Sequence, residues 1–133
     1  MDSWKERLSS VVEELEFVGD WNDRYRLLVE WGDELSPLPE DERTSQTEVF
    51  GCSSPLWLRV KESAGQVSVA GYSTGVLPRA LVALLVKLFD KTAAGFTDPN
   101  AVLGRLELSK HLSPTRVMIM ETMLRRIAQG PCQ

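Results

Sequence analysis

Two short runs hold the residue types that could do covalent chemistry. One is Val49-Phe50-Gly51-Cys52-Ser53-Ser54-Pro55-Leu56-Trp57-Leu58, and the other is His111-Leu112-Ser113-Pro114-Thr115-Arg116. In the first, Gly51 accepts backbone angles that a larger residue resists, and Pro55 enforces an extended path. Cys52 is therefore predicted at the tip of a short, stiff loop at a sheet edge. A thiolate that attacks sulfur needs that access and a defined direction of approach. Ser53 and Ser54 can donate hydrogen bonds to a thiolate or satisfy the amides of the turn. In the second run, His111 and Arg116 flank a helix start, and a cation brought near Cys52 favours its thiolate. The plainer readings are that Cys52 is a small buried hydrophobe, and that Ser113-Pro114 only cap a helix while Arg116 is solvated. Spacing alone leaves both pairs of readings open.

The chain has 133 residues, with two cysteines, Cys52 and Cys132, and one histidine, His111. No CxxC and no metal-ligand pair accompanies Cys52. A four-ligand zinc site would need all three residues plus a carboxylate, none at a finger spacing. Cys132 follows Gly130-Pro131 at the end of the chain, where a frayed tail is expected. A hydrolase built on Cys52 and His111 is conceivable, but the sequence offers no candidate for a third residue to orient the base or for oxyanion donors.

The net charge of −4 has the wrong sign for a phosphate-backbone binder. It is unevenly divided: residues 1–50 carry 14 acidic and 5 basic side chains, residues 51–133 carry 5 and 10. That division suits either a solvated acidic face or steering of a protein partner. Trp4, Trp21 and Trp31 lie in the acidic part, so they and Trp57 read as core or interface anchors, not base-stacking platforms. The longest apolar run, Ala80 to Val86, is too short to cross a membrane. MDSWKERLSS holds no apolar signal segment. The expectation is a soluble cytoplasmic protein with no nucleic-acid or membrane partner and one domain over 1–133.

The elements that must position these residues follow from periodicity. Ser3 and Glu6 form a capping box ahead of Trp4, Leu8, Val11, Val12, Leu15 and Val18, which share a helical face ending at Gly19. Asp20 caps a second helix with Tyr25, Leu28 and Leu35 inward, broken by Pro37 and Pro39. SPLPEDERTSQ reads as loop. Leu56, Leu58 and Val60 alternate with Trp57, Arg59 and Lys61. After the turn at Ala64-Gly65, Val67, Val69 and Gly71 alternate with Ser68, Ala70 and Tyr72, giving a hairpin. A short strand at Thr47 to Phe50 is predicted as its third member. Leu77, Ala80, Leu81, Leu84, Leu85 and Leu88 mark the central helix, with Pro78 in its first turn. Asp98-Pro99 and Ser113-Pro114 each open a helix. In the last one Val117, Met120, Leu124 and Ile127 face the core, while Arg125 and Arg126 complement its C-terminal dipole. The fold class is α+β, a small three-stranded antiparallel sheet packed with helices.

On these residues the chain resembles the SufE family of sulfur-acceptor proteins. The similarity runs from about Asp20 to Ile127. It rests on Asp23-Arg24-Tyr25 leading into LLVEWGDEL, the Leu-Pro loop at Pro37 to Pro39, VFGCSSPLWL, Gly71-Tyr72-Ser73 before the apolar helix, and HLSPTR followed by Met123, Leu124, Arg126 and Ile127. The resemblance implies a sandwich shared with IscU-type cluster scaffolds. It implies that Cys52 receives sulfane sulfur from a cysteine desulfurase, with Gly51, Ser53 and Ser54 positioning it and Arg116 and His111 in support. It further implies an accessory protein, not an enzyme, with no cofactor of its own. Pyridoxal phosphate resides on the partner desulfurase, an iron–sulfur scaffold lies downstream, and self-association would be weak. The chain departs from the family pattern in having Ser53 where Gln is common, Ser73-Thr74-Gly75 for Ser-Asp-Ala, and Ile119 near a usual small glycine. The competing classes are a cluster scaffold, which needs about three thiolates, and an interaction module that activates a desulfurase without carrying sulfur.

Overall fold

The computed structural model describes residues 2–130; Cys132 lies outside them. Helix α1 (Trp4–Val18) begins where the Ser3 hydroxyl accepts the Glu6 N–H, and α2 (Trp21–Asp33) where the Asp20 carboxylate accepts the Asp23 N–H. Each bond satisfies one of the helix's otherwise unpaired amides. Arg24 of α2 donates to the Leu15 carbonyl at 3.0 Å and locks the two helices into a hairpin.

The sheet is built on β1 (Leu56–Ser63) and β2 (Gln66–Ser73), antiparallel from Ser63↔Gln66 to Leu56↔Ser73. Ala64 and Gly65 both have positive φ, as the two-residue turn that matches strand twist requires. Period two then sends Leu56 and Leu58 of β1, with Val67, Val69, Gly71 and Ser73 of β2, to the buried face. Helix α3 (Val76–Phe89) lies between that face and α2, with nine of its residues buried. Helices α4 (Pro99–Arg105), α5 (Leu108–His111) and α6 (Pro114–Gln129) close the core from the other end, with Asp98 and Ser113 capping α4 and α6 as expected.

The sheet has three strands, but its third member is β3 (Thr92–Ala93), paired to the outer edge of β2 in the order β1-β2-β3. The predicted strand at Thr47 to Phe50 is a single bridge, Glu48↔Trp57, on the opposite edge. It stops there because hydroxyl-mediated turns wind up Thr44–Thr47 on one side and Gly51, at φ 97°, turns the chain away on the other. In α6 the apolar face also differs. Ile119 and Met123 are buried with Met120, Leu124 and Ile127, whereas Val117 is half-buried.

The stretch 36–46, a loop by composition, is anchored to the core and sheet. Leu38 is buried, a short 3-10 turn spans Glu40–Glu42, and Arg59 Nη1 reaches both Glu42 oxygens at 2.8 and 2.5 Å. The hydrogen bond from Arg59, then its charge and that of Lys61, hold the Glu42 carboxyl below its ordinary value near 4.5. A carboxylate whose pKa is depressed by folding stabilises the fold above its unfolded value, and that contribution disappears as pH falls through the folded one. Melting curves of Glu42→Gln and wild type should therefore differ most at neutral pH and draw together below about pH 4. A gap that stayed constant down to pH 3 would count against the pair as a source of acid lability.

Candidate functional site

Cys52 sits between two turns of backbone fixed from opposite sides. On the C-terminal side, the fully buried Ser73 hydroxyl donates to the Pro55 carbonyl at 2.8 Å and accepts the Gly75 N–H at 3.2 Å. The Thr74 N–H adds a bond to the same Pro55 carbonyl at 3.3 Å. Arg79 reinforces this junction by donating to the Ser73 and Thr74 carbonyls at 2.9 and 3.3 Å. On the N-terminal side, Val49 is buried and its N–H donates to the Leu56 carbonyl, while the Leu58 N–H donates to Thr47. The tip, Phe50 to Ser54, hangs between these stems.

Gly75 lets the tip dock on α3. A Cβ there would lie 2.6 Å from the Ser54 Oγ and 2.9 Å from its Cβ, so the absence of a side chain is what allows Ser54 to seat against the helix start.

The tip, the start of α3 and the start of α6 enclose an open groove of about 720 Å³. Gly51, Cys52, Ser53 and Ser54 line one side, Gly75 to Pro78 the second, and Ser113, Thr115, Arg116 and Ile119 the third. Arg116 and the Cys52 loop, 64 positions apart in sequence, thus face the same space, and Arg116 is the charged residue of its lining. Cys52 is half-buried against the core edge. Val76, 57% exposed, lines the groove, and Phe50 (67%) and Met118 (66%) are each next in sequence to a lining residue, Gly51 and Ile119. Large apolar side chains left in water at and next to a groove are the kind of surface that binds a partner. Ser53, Gly75 and Ile119 all line it.

His111 is placed elsewhere. Its ring stacks on Trp21, with centroids 4.0 Å apart and planes 20° from parallel, and its carbonyl accepts the Tyr25 hydroxyl. It ties α2 to the approach of α6 and is absent from the groove lining. Sequence reasoning does not single out Ser73, Gly75 or Arg79 as positioning residues; they fix the loop's C-terminal side. One signal for them was available: Ser73 is polar at an inward position of β2 and so needs a buried hydrogen-bond partner. Among the described residues, no three His, Cys, Asp or Glu side chains come together as metal ligands, and no helix is long and apolar enough to cross a membrane.

Fold and site together define an α+β protein that presents one cysteine on a stapled loop at the edge of an open, apolar-rimmed groove. The family profile described as the SufE Fe-S metabolism associated domain matches residues 9–130, and the chain belongs to the SufE family. It is 34% identical over 128 residues to an uncharacterized SufE-like protein of Rhizobium meliloti (strain 1021), covering 90% of this chain and 91% of that one. A second uncharacterized SufE-like protein, of Rhizobium etli, is 30% identical over 130 residues, covering 92% and 87%. The solution structure of a hypothetical protein from Thermus thermophilus has the same fold, with a TM-score of 0.69 at 20% identity over 97% of this chain and 94% of that one. The family places the chain in iron–sulfur metabolism.

Proposed function

We propose that the protein is a sulfur carrier that accepts sulfane sulfur on Cys52 from the persulfide of a cysteine desulfurase and stimulates that enzyme by clearing it. The observation that carries this reading is a half-buried cysteine on a stapled loop, lining a groove that also holds Arg116. The Cys52 thiolate attacks the outer sulfur of the partner's persulfide. A new S–S bond forms at Sγ, the bond between the partner's cysteine sulfur and the outer sulfur breaks, and the partner's thiolate leaves. One disulfide-type bond replaces another, so no external oxidant or reductant is needed. Arg116 sits where it can balance anionic sulfur, and Phe50, Val76 and Met118 give the partner an apolar landing. Pyridoxal phosphate belongs to the desulfurase, and an iron–sulfur scaffold in the same cytoplasmic compartment receives the sulfur.

The test is intact-protein mass spectrometry after incubation with a desulfurase and L-cysteine. A gain of ~32 Da, reversed by dithiothreitol and mapped to the peptide holding Cys52, is expected of a persulfide. An adduct confined to Cys132, or none despite a stimulated desulfurase, would defeat the proposal.

A further inference from the structure

Arg126 stands near the C-terminal end of α6, where a cation complements the helix dipole. Its guanidinium is instead turned onto the stem of the Cys52 loop. Nη1 donates to the Thr47 carbonyl at 3.0 Å and Nη2 to the Glu48 carbonyl at 2.5 Å, both partly buried. Neighbouring Arg125 is exposed. A planar fork on two successive carbonyls is a geometry that lysine, with one point-like ammonium, cannot reproduce.

Other contacts hold the stem beside Arg126: Val49 is buried, the Glu48 N–H donates to the Thr44 carbonyl and the Thr47 hydroxyl to the Glu42 carbonyl. The stem pairs with β1 through one bridge, with bonds from the Val49 N–H and the Leu58 N–H. From Arg126 back to Arg116 is ten residues of helix, about 15 Å, and only five positions separate Thr47 from Cys52. The helix that grips the base of the stem also supplies Arg116, Thr115 and Ile119 to the wall of the groove that Cys52 lines. Loop and wall share one rigid element.

We propose that Arg126 is a positioning residue for the acceptor thiol, holding the loop base so that Cys52 enters the groove in register with α6. The inference rests on the acceptor reading above. An unclamped stem samples more conformations, and the fraction competent to meet a partner's persulfide falls. Apparent affinity falls by that fraction, while the thiol remains able to carry sulfur once loaded.

In Arg126→Ala, the concentration of this protein giving half-maximal stimulation of a desulfurase should rise about tenfold, the scale of losing one or two hydrogen bonds from a charged donor. The end-point sulfur load of one atom at saturation should not change. Arg126→Lys should fall between wild type and Ala. Hydrogen exchange at the bonded amides of the stem, those of Glu48, Val49 and Leu58, should quicken by a similar factor in Arg126→Ala, with the amides of α3 unaffected. Half-saturation and loop exchange both at wild-type values would overturn the proposal, as would a lowered melting temperature with no shift in half-saturation. The exchange measurement needs no partner. A wild type that took up no sulfur would thus overturn the acceptor reading alone, and the clamp would be judged by loop exchange.

Discussion

A Cys52→Ser protein is expected to take up no sulfur from a loaded desulfurase and to leave that enzyme at its unstimulated rate. The substitution exchanges sulfur for oxygen at a half-buried site and disturbs neither stem, since the bonds at Pro55, Leu56 and Thr47 are made by other residues. The fold and the apolar rim should persist, and melting temperature should stay close to wild type. What is lost is the nucleophile. A serine hydroxyl stays protonated at neutral pH and cannot form an S–S bond, so transfer to position 52 should be abolished. Alanine production by the desulfurase in the presence of reductant, measured beside intact mass, separates the two remaining classes. An interaction module would keep stimulating with serine at position 52; a carrier would not.

Gly75→Ala is the second large effect. At φ −82°, alanine is at ease in the backbone of this position, and the substitution by itself slightly favours folding by restricting the unfolded chain. The obstacle is purely spatial. The new methyl would sit 2.6 Å from Ser54 Oγ, 2.9 Å from Ser54 Cβ and 3.2 Å from Pro78 Cδ. Pro78 is buried within α3, so the loop is the side that gives way, and Ser54 is two residues from the Cys52 thiol. A displacement near 1 Å at a reacting atom costs on the order of 10²-fold, so transfer should fall by roughly 10- to 100-fold while stability changes by no more than about 1–3 kcal/mol. Ser54→Gly removes both of the loop atoms in conflict and should restore most of the rate in the double variant. The four proteins form a double-mutant cycle in persulfide transfer. Wild-type transfer by Gly75→Ala, or no recovery in the pair, would show that the docking of Ser54 on α3 has no part in placing the thiol.

These effects divide along the line between local and long-range information. Short-range rules were sufficient for α1, α2, α4 and α6, where Ser3, Asp20, Asp98 and Ser113 each accept the N–H three residues ahead, a relation that needs no tertiary context. Helix α5, which follows Glu107 with no side-chain cap, was not legible. The hairpin was legible for the same reason, since a two-residue turn and period-two alternation set its register. The Gly-Cys-Ser-Ser-Pro run announced a stiff loop carrying a thiol before any fold was known. The third strand was not legible, because Thr92–Ala93 is too short to show a period and is recruited by the open edge of β2.

The sequence by itself thus determined the α+β class, most of the helix and strand limits, and which thiol to examine. Tertiary structure alone decided what surrounds that thiol. It brought Arg116 to the groove and sent His111 to Trp21, although the two are five residues apart. It set Arg126 on carbonyls 78 and 79 residues away. Capping and turns are written in neighbouring residues. Which side chain meets the Cys52 loop depends on how α3 and α6 pack across the core, and many residues far apart in the chain settle that packing together.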